Sequence, residues 1–205
     1  MQMVHDEMLV NKARNGDRKA FNHLVNLWNN RIYNFTYKYF NDHDLAMEAT
    51  QRTFIAVYKN LQKLEQPARF RSWLYRIASN NCHEEERRNK RRWTVSLFKS
   101  AQKAGEEAPP WGKYEKDTNR FANPDQQYQK TELEQVLHRA LKELSEEQRI
   151  VVIMKEYEGL KFKEIAEALA ISENTAKSRM YYGLNALRKV LNKWNINKET
   201  IHYES

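Results

Sequence analysis

Cysteine is all but absent. The single Cys82 among 205 residues excludes an internal disulfide and fits a reducing compartment, the cytoplasm. Glycine is scarce, and no two of the five stand close enough to write a G-x-G-x-x-G or phosphate-cradling loop. Long hydrophobic runs are missing: the longest aliphatic stretch is Ile150 to Met154. A membrane span needs ~20 apolar residues and a signal peptide about 7 to 15, so neither a leader nor membrane insertion is expected. The six histidines are scattered without an H-E-x-x-H spacing, and Cys82 and His83 are adjacent rather than spaced as zinc ligands. No catalytic residue, metal or cofactor is therefore expected, and the chain does not read as an enzyme.

What is present is charge. The net charge is +8 with a pI near 9.4 and a mean hydropathy of −0.93, which fits several small cores better than one large one. The excess is uneven: residues 1–92 carry 17 basic and 10 acidic side chains, whereas residues 131–205 carry 12 of each. The first half is thus the one attractive to a polyanion.

Chain breakers divide the molecule. Pro109, Pro110, Pro124, Gly105 and Gly112 fall in one stretch without helical periodicity, so residues 93–125 read as a long flexible linker. The remainder reads as helix, which makes the fold all-α: two small helical domains, 1–92 and 126–194, with a tail at 195–205. Asp17 can cap a segment in which Phe21, Leu24, Val25, Trp28, Ile32 and Phe35 recur at helical spacing, ending at Asn41–Asp42. A second helix runs from about Leu45 to Leu61. Beyond the linker, Leu133, Val136, Leu137, Ala140, Leu141 and Leu144 share one face, and Ser145 to Gln148 has the S-x-x-Q form of a capping box.

Two segments carry chemistry. In the first, residues 162–191 read as two short helices about a turn at Ala170-Ile171, with Ser172 capping the second. Ala176, Met180, Leu184, Leu187 and Leu191 are expected to face inward. Asn174, Thr175, Lys177, Ser178, Arg179 and Tyr182 would face outward. In a helix-turn-helix the first turns of the second helix enter the major groove, where amides, hydroxyls and guanidiniums read base edges. The same pattern also fits two packed helices with a solvated polar face. In the second segment, RFRSWLYRI at 69–77 interleaves aromatics with arginines. Phe70, Trp73 and Leu74 are expected in a core, with Arg71, Tyr75 and Arg76 outside. The five cations of residues 87–92 suit phosphates, while the aromatics suit unstacked bases; a purely structural core with a solvated charge run fits as well. The acidic triplet Glu84-Glu85-Glu86 interrupts the positive surface.

The order of these parts resembles the bacterial sigma factors of the extracytoplasmic-function group, with their helical regions two and four. The resemblance rests on ARNGDRKAF near the start, LAMEATQRTF at 45–54, FRSWLYRIASN at 70–80, LKELSEEQRIVVIMKEYEGLKFKEIA at 141–166 and ISENTAKSR at 171–179. It implies a non-catalytic subunit that binds core RNA polymerase, brings it to promoter DNA and helps melt the minus-ten region. By resemblance, Glu48, Thr50, Gln51 and Phe54 dock on the polymerase. Arg69, Arg71, Trp73, Arg76, Asn80, Arg87 and Arg88 belong to the minus-ten surface, and Asn174, Thr175, Lys177, Ser178, Arg179 and Tyr182 to the minus-thirty-five surface. An anti-sigma factor is a further partner the resemblance implies. Four places depart from the family pattern: Arg52 stands for an acidic residue, Asn81, His83 and Glu85 stand for mostly apolar or basic ones, Ala170 replaces a turn glycine, and Lys161 replaces a Ser or Thr cap. The main rival reading is a helix-turn-helix regulator that binds DNA without being a polymerase subunit; an adaptor that binds only proteins is another.

Overall fold

The computed structural model describes the backbone of residues 2–103 and 132–196 and the side chains of residues 7–92 and 134–196. Among them no strand occurs. Helix α1 (Gln2–Arg14) leads through Gly16 to α2 (Arg18–Phe40), whose start is fixed by Asp17: its carboxylate accepts from the amides of Lys19 and Ala20. Asn41, in the left-handed region at φ 48°, ends α2, and Asp42 at once caps α3 (His43–Asn60) through the Leu45 amide. Two short 3-10 turns, Leu61–Lys63 and Pro67–Arg69, lead into α4 (Phe70–Lys103). Proline suits that entry because its missing N–H would be unpaired in a first turn anyway.

The first half closes around Leu24, Trp28, Ile32 and Phe35 of α2 with Val57 of α3 and Leu74 of α4, all buried. Trp28 meets Phe70 and Tyr75 edge-on at 5.9 and 6.3 Å, the arrangement aromatic quadrupoles favour. Three threonines sit on the buried faces without penalty: Thr36 and Thr50 share a hydrogen bond at 3.0 Å, and Thr50 and Thr53 donate to carbonyls one turn back.

The second half contains α5 (Glu132–Lys142), α6 (Glu146–Val152), α7 (Phe162–Leu169) and α8 (Glu173–Lys193). Ser145 accepts from the Gln148 amide at 3.3 Å, making the expected cap of α6. That helix widens into a π turn at Ile153–Tyr157 before Gly159. At the start of α7, Glu164 accepts from the Lys161 amide at 2.7 Å, which supplies a cap that the lysine side chain has no acceptor to give. Ala170 takes the left-handed conformation at φ 53°, a strain of roughly 1 kcal/mol or more for a residue with a Cβ.

The two halves pack on each other, α4 lying against α7 and the end of α2 against the π turn. Tyr75 donates to the Glu158 carboxylate at 2.5 Å, Arg71 donates to the Glu158 carbonyl, and Ser72 donates to Glu167 at 3.2 Å. Arg149, 8% exposed, reaches across to the Tyr39 carbonyl at 3.4 Å and lies 4.9 Å over the Tyr39 ring.

Three expectations are corrected. Tyr75 does not face solvent; it is buried between Trp28, Phe35 and Glu158. Leu184 does not face inward but is exposed, because Gly183 occupies the contact with α6: a Cβ there would stand 2.9 Å from Val152. And α4 continues to Lys103, well past residue 92. The rest of the expected linker, and the tail beyond Ile196, lie outside the described residues.

Candidate nucleic-acid interface

Helix α4 presents a stripe at helical spacing. Trp73, Arg76, Asn80 and Arg87 succeed one another at intervals of three, four and seven residues, which places them on one side of the helix. Arg76, Asn80 and Arg87 are exposed, Trp73 half-buried, and Arg69 stands exposed just before the helix. Asn80, His83, Glu84, Arg87, Arg88 and Arg91 line an open depression of about 360 Å³. Arg91 extends the stripe by one more turn; sequence reasoning missed it, although its spacing of four from Arg87 was the signal. Amide, guanidinium and indole groups on one open face can stack on unpaired bases and hold phosphates.

Two expected members of this surface stand apart. Arg71 points to the other half, where it bonds the Glu158 carbonyl and lies 3.6 Å from Glu164. Arg88 is drawn to Glu84 and Glu85. The acidic triplet explains itself at this point. Glu84 pairs with Arg88, Glu85 faces Arg52, Arg88 and Arg92, and Glu86 accepts from Tyr39 and lies near Lys90 and Arg149. Of the basic run, Arg87 and Arg91 make no ion pair among the described residues, so they are the cations left for an outside anion.

On α3 the expected docking residues divide as well. Gln51 is exposed, Glu48 is half-buried and paired with Arg52, and Phe54 is half-buried against the core. Thr50 is corrected: it is 4% exposed and its hydroxyl is bonded inside, so it anchors α3 to α2 and presents nothing outward. The outward face instead carries Met47, Ile55 and Tyr58, about half-exposed at 52, 48 and 57%. Their signal was visible as apolar residues out of phase with the inner row of Ala46, Ala49, Thr53 and Val57.

The first turns of α8 carry the third group. Ser172 accepts from the Thr175 amide at 3.0 Å and its hydroxyl meets that of Thr175 at 2.8 Å, while Ser178 donates to the Thr175 carbonyl. Asn174, Lys177, Ser178 and Tyr182 are exposed, and Thr175 and Arg179 are half-buried. Lys177 pairs with Glu173 at 2.9 Å, one turn back, while Arg179 makes no ion pair among the described residues. Tyr181, 64% exposed beside Tyr182 with ring centroids 5.6 Å apart, adds an aromatic that sequence reasoning did not single out. Polar, basic and aromatic groups thus share an uncovered helix start after a tight turn, which is what a major-groove reader requires.

Two titratable groups are shifted by their surroundings. Burial pushes the Cys82 thiol up, so it stays protonated. Burial also raises the Glu158 carboxyl despite the Tyr75 hydroxyl. Among the described residues no group of three or more His, Cys, Asp or Glu could hold a metal, and no helix is long and apolar enough to cross a membrane.

Residues 24–92 match the family model for sigma-70 region 2, and residues 134–187 match that for sigma-70, region 4. The two matches lie on the two halves in the family's order and together span more than half of the chain. The chain belongs to the sigma-70 family of sigma factors. This sigma factor is 29% identical over 189 residues to the ECF RNA polymerase sigma factor SigW of Bacillus subtilis, covering 90% of this chain and 98% of the relative. Its fold is similar to that of CnrH in complex with the cytosolic domain of CnrY (TM-score 0.64, 19% identity, 92% and 97% of the two chains). It is likewise similar to the sigma factor RpoE in complex with the anti-sigma factor NepR from Bartonella quintana (TM-score 0.62, 21% identity, 85% and 98%). Two departures of this sigma factor from the family pattern turn out to be neighbours: Arg52 of α3 and Glu85 of α4 meet at 3.7 Å.

Proposed function

We propose that the sigma factor works through three surfaces. Core RNA polymerase docks on the outer face of α3 around Glu48, Gln51 and Phe54, with Met47, Ile55 and Tyr58 adding apolar area. The stripe of α4, from Arg69 through Trp73, Arg76 and Asn80 to Arg87, takes the minus-ten strand. The start of α8, with Asn174, Thr175, Lys177, Ser178, Arg179 and Tyr182, reads the minus-thirty-five element. The two halves, the first running through α4 to Lys103 and the second beginning with α5, are the two working domains. The chain performs no catalysis of its own and acts in the cytoplasm, where polymerase and promoter DNA are found. An anti-sigma factor, as named for one structural neighbour, is a further partner.

The observation that carries this reading is the uncovered stripe on α4, where base-stacking and phosphate-holding groups align on the more basic half. Arg71 joins that surface only when the two halves separate, since its guanidinium is held by Glu158 and Glu164 in this arrangement.

Run-off transcription with core polymerase on genomic fragments tests the function. New discrete transcripts that require the protein are expected; duplex binding without any transcript would instead favour a plain helix-turn-helix regulator. Replacing Lys177 and Arg179 by Ala should weaken promoter binding and spare polymerase binding. Replacing Glu48 and Gln51 should do the reverse, and unchanged affinity for core would remove the docking assignment.

A further inference from the structure

Glu85 is a carboxylate in an unusual setting. Its side chain is wholly buried, and neither oxygen accepts a hydrogen bond. A buried carboxylate without donors is costly unless cations compensate it, and three do. Arg52 of α3 lies 3.7 Å from one oxygen, Arg88 lies 3.9 Å from the same oxygen, and Arg92 lies 3.7 Å from the other. Two of these belong to the basic run that would otherwise face a nucleic-acid strand. Arg88 is held a second time by Glu84. Arg87 and Arg91, on the open stripe, have no such counter-charge among the described residues.

We propose that Glu85 is a specificity-determining residue that withholds Arg88 and Arg92 from the phosphate backbone, leaving α4 to grip a strand through Arg87 and Arg91. This rests on the reading of α4 as the strand-binding helix. Phosphate contacts raise affinity for every sequence alike and carry no information about bases. A run with all its cations free would hold any single strand; two cations paired with Glu85 lower that background and leave the discrimination to Trp73, Arg76 and Asn80. Each phosphate neutralised on a single strand steepens the slope of log K against log salt by about 0.7, so the two withheld cations account for a slope change of about 1.4. Over a fourfold change in salt that is about a sevenfold change in background affinity.

The test is a salt titration of the full-length protein against a labelled oligothymidine strand. Glu85→Gln is expected to steepen the slope by about 0.7 to 1.4 and to tighten binding at low salt. Arg92→Ala should leave the slope of the parent unchanged and take back part of the gain in the Glu85→Gln background. If Glu85 only braces α3 against α4, Glu85→Gln lowers the melting temperature without steepening the slope, and the inference falls. Arg92→Ala is exposed and keeps the question open should Glu85→Gln fail to fold: a slope that flattens by about 0.7 on Arg92→Ala alone means Arg92 already holds phosphate and overturns the proposal. The double variant Arg87→Ala, Arg91→Ala separates the two layers. An unchanged slope there removes α4 as the strand-binding helix. A flattened slope there, without a gain in Glu85→Gln, removes the role of Glu85 alone.

Discussion

Arg149→Ala is expected to be the most damaging single change outside the apolar core. The guanidinium donates to the carbonyls of Leu141 at 3.1 Å, Leu144 at 3.3 Å, Lys142 at 3.4 Å and, across the contact between halves, Tyr39 at 3.4 Å. Leu141 keeps a second donor, the Leu144 amide at 3.2 Å, but no other donor reaches Lys142, Leu144 or Tyr39 among the described residues. Each buried acceptor left unpaired costs about 1 to 3 kcal/mol. The bonds are long, which favours the lower end, and parted halves would give the Tyr39 carbonyl to water. The buried Leu144 carbonyl then accounts for about 1 to 3 kcal/mol, with little from Lys142, which is exposed and whose bond is only part-buried; that is a sizeable share of a total stability of roughly 5 to 15 kcal/mol. For a chain of 205 residues, at about 2 to 4 °C per kcal/mol, the melting temperature should fall by on the order of 5 °C. Arg149→Lys should recover little, since an ammonium lacks the planar fork that serves several carbonyls at once. Urea unfolding followed by far-UV circular dichroism measures the loss. A value under about 1 kcal/mol for Arg149→Ala would refute the reasoning, because it would mean the carbonyls find other donors.

Gly183→Ala should destabilise by about 1 to 3 kcal/mol in a thermal melt, since its Cβ would meet Val152 at 2.9 Å and force α6 and α8 apart; an unchanged or raised melting temperature would show that the interface gives way freely. Ala170→Gly should raise the melting temperature by relieving the left-handed strain at φ 53°, worth about 1 kcal/mol; a fall would show that the strain is not there. Glu146 is held below the usual carboxylate range chiefly by its hydrogen bond to Lys90. A depressed carboxyl adds stability above its unfolded value and loses it as pH falls through its folded value. The melting difference between the parent and Glu146→Gln should therefore be small, below about 1 kcal/mol at so exposed a pair, present at neutral pH, and vanish on acidification. Glu158 has the opposite sign: burial raises it, so the stability it contributes is present below the unfolded value and lost as pH rises through the folded one. Glu158→Gln should accordingly stabilise most at neutral pH and least in acid, and a constant difference across that range would contradict the assignment.

How much of this was legible depends on how local the cause is. Asp17, Ser145 and Ser172 cap their helices through amides two or three residues away, and such causes are written in adjacent letters. Tyr75 failed because its partner is not local. It sits at the margin of an apolar stripe, and the choice between inside and outside is made by Glu158, more than eighty residues away. Leu184 failed because periodicity counts side chains, and here the closest approach is made by a residue without one. Thr50 was assigned to the docking surface by resemblance, which matches a segment and does not tell which of its side chains turns inward to an acceptor such as the Ala46 carbonyl. The basic run at 87–92 looked free because a sequence gives charges but not their partners; in the fold Glu84 and Glu85 take Arg88, and Glu85 takes Arg92. The stripe of Trp73, Arg76, Asn80 and Arg87 was available from spacing alone.

The π turn at Ile153–Tyr157 has a consequence for how this chain tolerates length changes. Such a turn holds one residue more than an α-helical turn, so it sets a phase offset of about 100° between α6 and the chain that leads to α7. Deleting one residue there would regularise the helix and break none of the caps around it. It would nevertheless rotate Glu158 away from Tyr75 and carry α7 and α8 out of register with Val152, leaving the secondary structure whole and the assembly of parts wrong. A single-residue deletion in this turn is thus a frameshift in three dimensions, whereas the same deletion after Lys193 would move nothing in the contact between halves.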